Sequence, residues 1–261
     1  MIHRSTSFRW SESPLKIATW NVNGYRAREK QFSEWLARDR PDVVCLQELK
    51  AERAQIAEPP DLEGYHRYWH GLRAYSGVAL HVRRDFFGAE PAFSHPDFDM
   101  ESRIVQAEIG NLVLASVYVP NGGKDYEAKL QFLVRLADWT RQLAREGREL
   151  VLCGDMNVTR SDIDLHPKEV KPGVIGQREE ERDLFERVLG DRLVDVTRAL
   201  APDDPNIFSW WAPWRNMRQR NIGWRIDYVL ASPSIAERAS SCAVLADVGT
   251  SDHAPVMMTT A

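Results

Sequence analysis

The sequence predicts one α/β domain with mixed β-sheets and helices on the outside. Short apolar runs rich in Val, Ile and Leu recur along the whole chain, and helical periodicity appears in only a few segments between them. The length of 261 residues suits one large domain or two small ones. With 43% apolar and 28% charged residues, the chain can bury a sizeable core in the manner of an ordinary globular protein.

The strand candidates are short apolar runs rich in β-branched residues. A turn of the Gly-Asn kind, Gly110 and Asn111, separates two of these runs, so residues 104–119 are predicted to form a hairpin. The sheets therefore include antiparallel pairing. The predicted strands are 15–20, 42–47, 76–82, 104–109, 112–119, 149–154, 226–231 and 242–248.

Helical periodicity is clearest at residues 125–146, where Leu and Ala keep one face and Gly147 follows as a stop signal. Residues 27–38 and 179–189 are predicted to form shorter helices. Two polar segments, 158–178 and 201–223, exceed ordinary loop length, and long ordered loops in a compact domain are often functional.

The chain ends and cysteines indicate a cytoplasmic protein. Residues 1–14 lack the apolar stretch of a signal peptide, and no window approaches the length of a membrane span. We expect a loose N-terminal tail over residues 1–14 and a single catalytic domain over residues 15–261. The cysteines are far apart, show no CxxC spacing and are expected to be reduced thiols: Cys45, Cys153 and Cys242.

Acids and amides follow three of the predicted strands. Asn21 and Asn23 follow the first, Glu48 the second, and Asp155 and Asn157 the run at 149–154. Taken singly, each asparagine is better interpreted as a turn residue. If Glu48, Asp252 and an asparagine cluster, their oxygens form a site suited to Mg²⁺ or Mn²⁺ rather than zinc. Metal-assisted phosphodiester hydrolysis is the resulting hypothesis.

Asp227 is not a turn residue, because it lies between Ile226 and Tyr228 in an apolar run. A buried acid needs a partner, and His253 is the candidate. In a regular strand, Asp252 and His253 would point to opposite faces, so one of them should point inward. A carboxylate on one ring nitrogen favours the imidazolium and leaves the other nitrogen to donate to a phosphoryl oxygen.

These residues belong to a set of motifs that resembles a known family. The motifs are WNVNG (20–24), LQELK (46–50), YVPNGG (118–123), GDMNV (154–158), NIGWRIDYVLAS (221–232) and SDHAPV (251–256). In this order the chain resembles the exonuclease III family of apurinic/apyrimidinic endonucleases, in the deoxyribonuclease I-like endonuclease/exonuclease/phosphatase superfamily. The resemblance implies a four-layered α/β sandwich of two packed mixed β-sheets flanked by helices.

The resemblance also assigns roles to site residues. Glu48 would be the main metal ligand, supported by Asn23 and Asp252, although many relatives carry Asp at the position of Asn23. Asp155 would deprotonate the attacking water, and Asp227 would orient His253 toward a non-bridging oxygen. Asn157 would hold the attacking water or the phosphate, and Tyr118, Asn121 and Asn21 would complete the phosphate pocket.

Residues 208–225 indicate a DNA partner despite the net charge of −4, because they interleave four tryptophans with arginines. Aromatic faces stack on sugars or bases, and guanidinium groups bind phosphates. Trp210 and Trp224 match family positions that enclose an abasic sugar, whereas Trp211 and Trp214 are equally consistent with core packing. The arginines of this expected basic surface are Arg215, Arg218, Arg220 and Arg225. Further phosphate contacts expected by position, each of which could instead be an ordinary solvated residue, are Arg26, Lys50, Tyr75 and Lys124.

One segment departs from the family pattern. Relatives often carry an Asn-rich stretch ending in GFTPxER where this chain has HPKEVKPGVIGQREEER at residues 166–182. Lys168 and Lys171 could substitute for the DNA-contacting asparagines, and no role is transferred across this stretch.

The favoured function is a Mg²⁺-dependent (or Mn²⁺-dependent) DNA-repair nuclease, expected to be a monomer, that cleaves duplex DNA 5′ to abasic sites and trims 3′ ends. The alternatives are a phosphoesterase acting on lipid or inositol phosphates and a non-catalytic DNA-binding relative. A phosphoesterase of the first kind would be expected to carry a secretion signal or membrane-facing apolar loops. The second has no use for so many acids beside phosphates.

Overall fold

The computed structural model describes residues 14–72, 74–87 and 90–261, without the Leu72 side chain. The expected N-terminal tail lies outside these residues except for Pro14. In the described part the chain forms twelve strands and six α-helices. The strands are β1 (Lys16–Asn21), β2 (Val43–Gln47), β3 (Tyr65–Leu72), β4 (Tyr75–Arg83), β5 (Ala92–Ser94), β6 (Ile104–Ile109), β7 (Leu112–Tyr118), β8 (Glu149–Asp155), β9 (Val194–Asp195), β10 (Asp227–Ala231), β11 (Ala239–Val244) and β12 (Val256–Thr260). The helices are α1 (Glu29–Asp39), α2 (Arg84–Phe87), α3 (Tyr126–Arg145), α4 (Glu179–Leu189), α5 (Val196–Leu200) and α6 (Pro233–Ala236).

The strands form two mixed six-stranded sheets. The first has the order β11-β12-β1-β2-β4-β3 and the second β5-β6-β7-β8-β10-β9. Each sheet has one parallel pair, β1 with β2 and β7 with β8, and its other pairs are antiparallel. The predicted hairpin is confirmed, with Ile109 opposite Leu112 across a turn in which Gly110 adopts φ +60°.

Successive side chains along each strand point to opposite faces of the sheet and therefore pack into different layers. In β1, Ile17 faces the core between the sheets, whereas Ala18 packs with α1 on the outer face of the first sheet. On the second sheet, Val113 of β7 faces outward onto α3 and α4, and its neighbour Leu114 faces the central core. The fold is therefore the expected four-layered sandwich of helix, sheet, sheet and helix.

The structure corrects several element predictions. β3, β5, β9 and β12 were not predicted, and the strand expected at 242–248 is instead β11, which begins at Ala239 and already ends at Val244. Asp252 and His253 precede β12 in an irregular segment instead of lying within a strand. Cys45 and Cys153 are buried and Cys242 is half-buried, and all are free thiols. Among the described helices, none is both long and apolar enough to cross a bilayer.

Candidate active site

The carboxyl ends of the parallel strands meet at one edge of the sandwich. Asn21 ends β1, Glu48 directly follows β2, and Tyr118 and Asp155 end β7 and β8 in register. The Asn21 amide Nδ2 donates to Glu48 Oε1 and to Asp155 Oδ2, each at 2.9 Å. These two hydrogen bonds from one amide group join the two sheets, so acids from both layers face the same space.

His253 completes this cluster. The ligand atoms of Glu48, Asp155 and His253 all lie within 4.8 Å of one another. Glu48 adopts φ +53°, in the left-handed region that non-glycine residues rarely occupy. Such backbone strain concentrates at functional sites, where the surrounding structure holds it in place.

The predicted contact between Asp227 and His253 is confirmed. Asp227 Oδ2 lies 2.9 Å from His253 Nδ1, and the other ring nitrogen, Nε2, lies 3.8 Å from Asp155 Oδ2. Ser209, which the sequence did not point to, donates to Asp227 Oδ2 at 2.6 Å and accepts the amides of Ile226 and Asp227. Ser209 thus fixes the carboxylate that orients the imidazole.

Burial and charge together set the protonation of this pair. Burial opposes a charged imidazole, but the Asp227 carboxylate, its hydrogen bond and the nearby Asp155 raise the pKa of His253 to about 10. Burial also raises the pKa of Asp155; His253 opposes this rise, and the negative charges of Asp227 and Glu48 add to it. The site therefore pairs an imidazolium donor with a carboxylate of increased basicity.

Oxygen donors converge on a position beside this pair. The Lys50 ammonium lies 2.7 Å from Glu48 Oε2 and 2.6 Å from Asn23 Oδ1. Asn23 Nδ2 donates to Asp252 Oδ1 at 2.7 Å, and Trp210 Nε1 donates to Asp252 Oδ2 at 2.9 Å. Although burial opposes it, the hydrogen bonds from Lys50 and Asn21 hold the pKa of Glu48 below its usual value. Carboxylate and amide oxygens that already hold a cationic group fit a hard divalent cation.

Amides and a phenol line the other side of the cluster. The Asn157 backbone amide donates to Asp155 Oδ1 at 2.8 Å, and its Nδ2 donates to the Val119 carbonyl at 2.9 Å. Asn121 Nδ2 donates to Asn157 Oδ1 at 3.2 Å. Burial and the charges of Glu48 and Asp155 raise the pKa of Tyr118, so this phenol stays a neutral donor.

Arg103 is a second residue that the sequence did not point to. Its guanidinium lies 4.7 Å from the Tyr118 ring centroid and 5.4 Å from that of Tyr75. It also donates to the Tyr75 hydroxyl at 3.0 Å and pairs with Glu101 at 2.8 Å. Arg103 therefore links a predicted DNA contact to a predicted phosphate contact. Only the adjacent strand end in RIVQAEI could have drawn attention to it.

Two half-buried tryptophans form a wall beside the acids. The rings of Trp210 and Trp224 meet edge to face at 5.5 Å, and their backbones exchange two hydrogen bonds of 2.9 Å. A Cβ at position 223 would lie 2.4 Å from the Trp210 carbonyl oxygen. Only glycine at this position therefore lets the backbone segments that carry Trp210 and Trp224 come this close together. Trp224 Nε1 reaches Glu169 of the divergent segment at 3.3 Å.

The expected basic surface is only partly correct. Arg225 is 1% exposed and pairs with Asp164 and Asp195, so its inclusion was wrong: acids from distant segments bury it. Arg218 donates to the carbonyls of Ala246, Val248 and Ser251 and is half-buried. Six other predicted DNA contacts are exposed: Arg26, Lys124, Lys168, Lys171, Arg215 and Arg220. Trp211 is buried, in keeping with core packing, whereas Trp214 is 60% exposed.

Comparisons with known proteins match the fold and the sequence. Residues 18–253 match the profile of the Endonuclease/Exonuclease/phosphatase family. The chain is 34% identical over 249 residues to the exodeoxyribonuclease of Bacillus subtilis (strain 168), which covers 93% of this chain and 98% of that protein.

Two solved structures superpose closely. An AP endonuclease from Archaeoglobus fulgidus has a TM-score of 0.84 and 32% identity, covering 94% of this chain and 99% of that chain. The 3′ phosphatase NExo from Neisseria, bound to a product DNA hairpin, has a TM-score of 0.83 and 30% identity, covering 95% and 99%. These similarities extend over nearly the whole chain.

Proposed function

Because the chain belongs to the Endonuclease/Exonuclease/phosphatase family, we propose that it is a Mg²⁺-dependent DNA-repair nuclease of the exonuclease III type. It hydrolyses the phosphodiester 5′ to abasic sites in duplex DNA and trims blocked or recessed 3′ ends. The observation that carries the proposal is the cluster of half-buried Glu48 with buried Asp155 and His253, with Asp227 on the far side of the imidazole.

Asp155 and His253 divide the chemistry between them. Asp155 accepts the proton of the attacking water, since burial has made it a stronger base than an exposed carboxylate. The water oxygen bonds to phosphorus as the bond from phosphorus to the 3′ oxygen breaks, and that oxygen takes a proton from solvent. His253 Nε2 donates to a non-bridging oxygen, where negative charge builds up in the transition state.

Amides and the phenol hold the phosphate and the water. Asn157, which is hydrogen-bonded to Asp155 and to the Val119 carbonyl, would hold the attacking water or the phosphate. Tyr118, Asn121 and Asn21 supply the remaining donors.

Glu48 would hold Mg²⁺, with Asn23 and Asp252 supporting it directly or through water. Bound there, the ion would neutralise phosphate charge and polarise the scissile phosphodiester. Lys50 forms an ion pair with Glu48 and donates a hydrogen bond to Asn23. Its ammonium group would contact the phosphate of the bound DNA.

The DNA-contacting residues extend outward from this centre. Trp210 and Trp224 would pack against a baseless deoxyribose, while Tyr75, Arg26, Lys124 and Arg218 would contact the backbone. A missing base lowers the cost of extruding a nucleotide by a few kcal/mol, which favours abasic sites. We further propose that residues 15–261 form one catalytic domain, monomeric and cytoplasmic.

A substrate panel tests the function. The protein is incubated with an abasic-site duplex, a duplex with a 3′-phosphate and an inositol phosphate, each with and without Mg²⁺. Incision of the abasic strand or release of the 3′-phosphate, only with the metal, is expected. Turnover of the inositol phosphate alone would favour the lipid and inositol phosphoesterase alternative, and binding to DNA without turnover would favour a non-catalytic relative.

A further inference from the structure

A second group of metal-ligating side chains lies apart from the acidic site. The ligand atoms of His70, His95 and Asp99 all lie within 4.8 Å of one another. His70 belongs to β3, and the other two belong to the loop between β5 and β6. His70 Nε2 is 2.6 Å from Asp99 Oδ2, and the two imidazoles stack with centroids 4.6 Å apart and planes 7° from parallel.

We propose that His70, His95 and Asp99 bind a divalent cation of the borderline class, such as Zn²⁺. Two imidazoles and one carboxylate form the donor set that zinc takes in open three-ligand sites, with water in the fourth position. The acidic site, in contrast, consists mainly of oxygen donors, which select Mg²⁺. The two sites would therefore hold different ions, and this proposal does not depend on the nuclease activity.

The Asp99 carboxylate is already oriented for this role. Its Oδ1 accepts the backbone amides of Arg103 at 2.8 Å and Ile104 at 3.0 Å, which leaves Oδ2 directed at His70. Hydrogen bonds of this kind, to the oxygen that does not bind the metal, are what orient ligands at metal sites. The carboxylate thus needs no reorientation to bind an ion.

Two small adjustments would close the site. Zinc-to-nitrogen bonds of about 2.0–2.1 Å place tetrahedral neighbours roughly 3.3 Å apart. The cation would replace the direct contact between His70 Nε2 and Asp99 Oδ2, moving these atoms slightly apart. His95 must turn out of its stack, because an imidazole binds metals in the plane of its ring. Its side chain is exposed and makes no hydrogen bond within the described residues, so the turn costs only the stacking contact.

The site also connects to the acidic centre. Asp99 holds the backbone of Arg103, and the Arg103 guanidinium lies over the rings of Tyr118 and Tyr75. An ion joining His70 of β3 to His95 and Asp99 would fix the loop at 95–103 from which Arg103 extends.

Cobalt titration tests the proposal, because tetrahedral Co²⁺ ligated by imidazole has intense visible absorption bands. Untagged protein is titrated with Co²⁺ in excess Mg²⁺, and bound metal is counted by equilibrium dialysis. The variants are His95→Ala, His70→Ala and Glu48→Gln, which removes the main ligand of the acidic site. His66→Ala is the matched control, since His66 lies on the same strand and faces Arg84. Circular dichroism establishes that each variant is folded.

We expect wild type, Glu48→Gln and His66→Ala to bind one Co²⁺ with the tetrahedral spectrum. His95→Ala should bind it at least tenfold more weakly, and folded His70→Ala should lose the spectrum. Equal affinity and spectrum in wild type and His95→Ala would overturn the proposal, as would a spectrum lost in Glu48→Gln alone or absent from wild type.

Discussion

Nδ1 of His253 lies 2.9 Å from Oδ2 of Asp227, and neither side chain is more than 5% exposed. The same oxygen also accepts a hydrogen bond from the Ser209 hydroxyl at 2.6 Å, so Ser209 fixes the oxygen that orients the imidazole. This arrangement keeps His253 protonated and directs Nε2 toward Asp155 and the reaction space.

Asp227→Asn should slow the chemical step by on the order of 10²-fold, because an amide cannot stabilise the imidazolium. Single-turnover incision of an abasic duplex measures the step, and thermal unfolding measures stability on the same preparation. The pH profile should also change. As the pH is raised, the variant should lose activity at a lower pH than wild type, because removing the Asp227 charge lowers the pKa of His253.

The matched control for Asp227→Asn is Asp164→Asn. Asp164 is equally buried, but it pairs with Arg225 and Arg198 away from the imidazole. This control should lower stability and leave the chemical step nearly unchanged. If Asp227→Asn behaves in the same way, Asp227 has only a structural role.

Asp155→Asn should reduce turnover by about 10³-fold or more, because the carboxylate that accepts the proton of the attacking water is lost. Duplex affinity should stay near that of wild type, because the DNA-contacting residues remain. Single-turnover rates and a fluorescence binding assay separate the two quantities. Asp138→Asn, on the exposed face of α3, is the control and should change neither. Parallel loss of binding and rate in a folded Asp155→Asn protein would disprove the assigned role.

Trp224→Ala should weaken selectivity for the abasic site, because the wall formed with Trp210 would no longer exclude a base. The measurement is the ratio of single-turnover rates on an abasic duplex and on a matching intact duplex. Trp214→Ala, which removes an exposed indole from the same segment, should leave the ratio unchanged. The same ratio in Trp224→Ala and wild type would assign Trp224 to packing alone.

His81 predicts acid sensitivity of the fold. The imidazole is fully buried, and burial followed by the charge of Arg67 lowers its pKa from 6.5 to about 3. A base whose folded pKa is depressed contributes full stability above pH 6.5, and this contribution is lost progressively as the pH falls toward 3. Between pH 7.5 and 5, wild type should lose up to about 2 kcal/mol more than His81→Leu.

Urea unfolding of both proteins at the two pH values measures this difference. All other titrating groups are shared, so the comparison isolates His81. The same loss of stability in both proteins would show that His81 does not titrate in this range.

The sequence predicted the strands that position the site, because β1, β2 and β8 are continuous apolar runs that end in acids or amides. β3 was not predicted, since YHRYWHGL interrupts its apolar residues with histidines and an arginine. β5 and β9 have only three and two residues, too few to show periodicity. Such short strands form because the backbone groups along the edge of a neighbouring strand are available for hydrogen bonding.

The same limit applies to the site. Strand-end acids and the Asp227–His253 contact could be predicted because each residue lay in an unusual local setting. Ser209 and Arg103 could not, since their importance comes from contacts with residues far away in the chain. Arg225 was misplaced on the surface for the corresponding reason: its partners, Asp164 and Asp195, come from other segments.

The most direct test of the nuclease assignment is single-turnover incision of an abasic duplex by wild type and Glu48→Gln over a range of Mg²⁺ concentrations. Glu48 accepts from Asn21 and Lys50, and Gln keeps an acceptor oxygen while removing the charge that would hold the ion. We expect wild type to incise 5′ to the abasic sugar only with Mg²⁺, and Glu48→Gln to be at least tenfold slower with a higher Mg²⁺ requirement. Equal rates and equal Mg²⁺ dependence in the two proteins, or no incision by wild type at any Mg²⁺ concentration, would contradict the account.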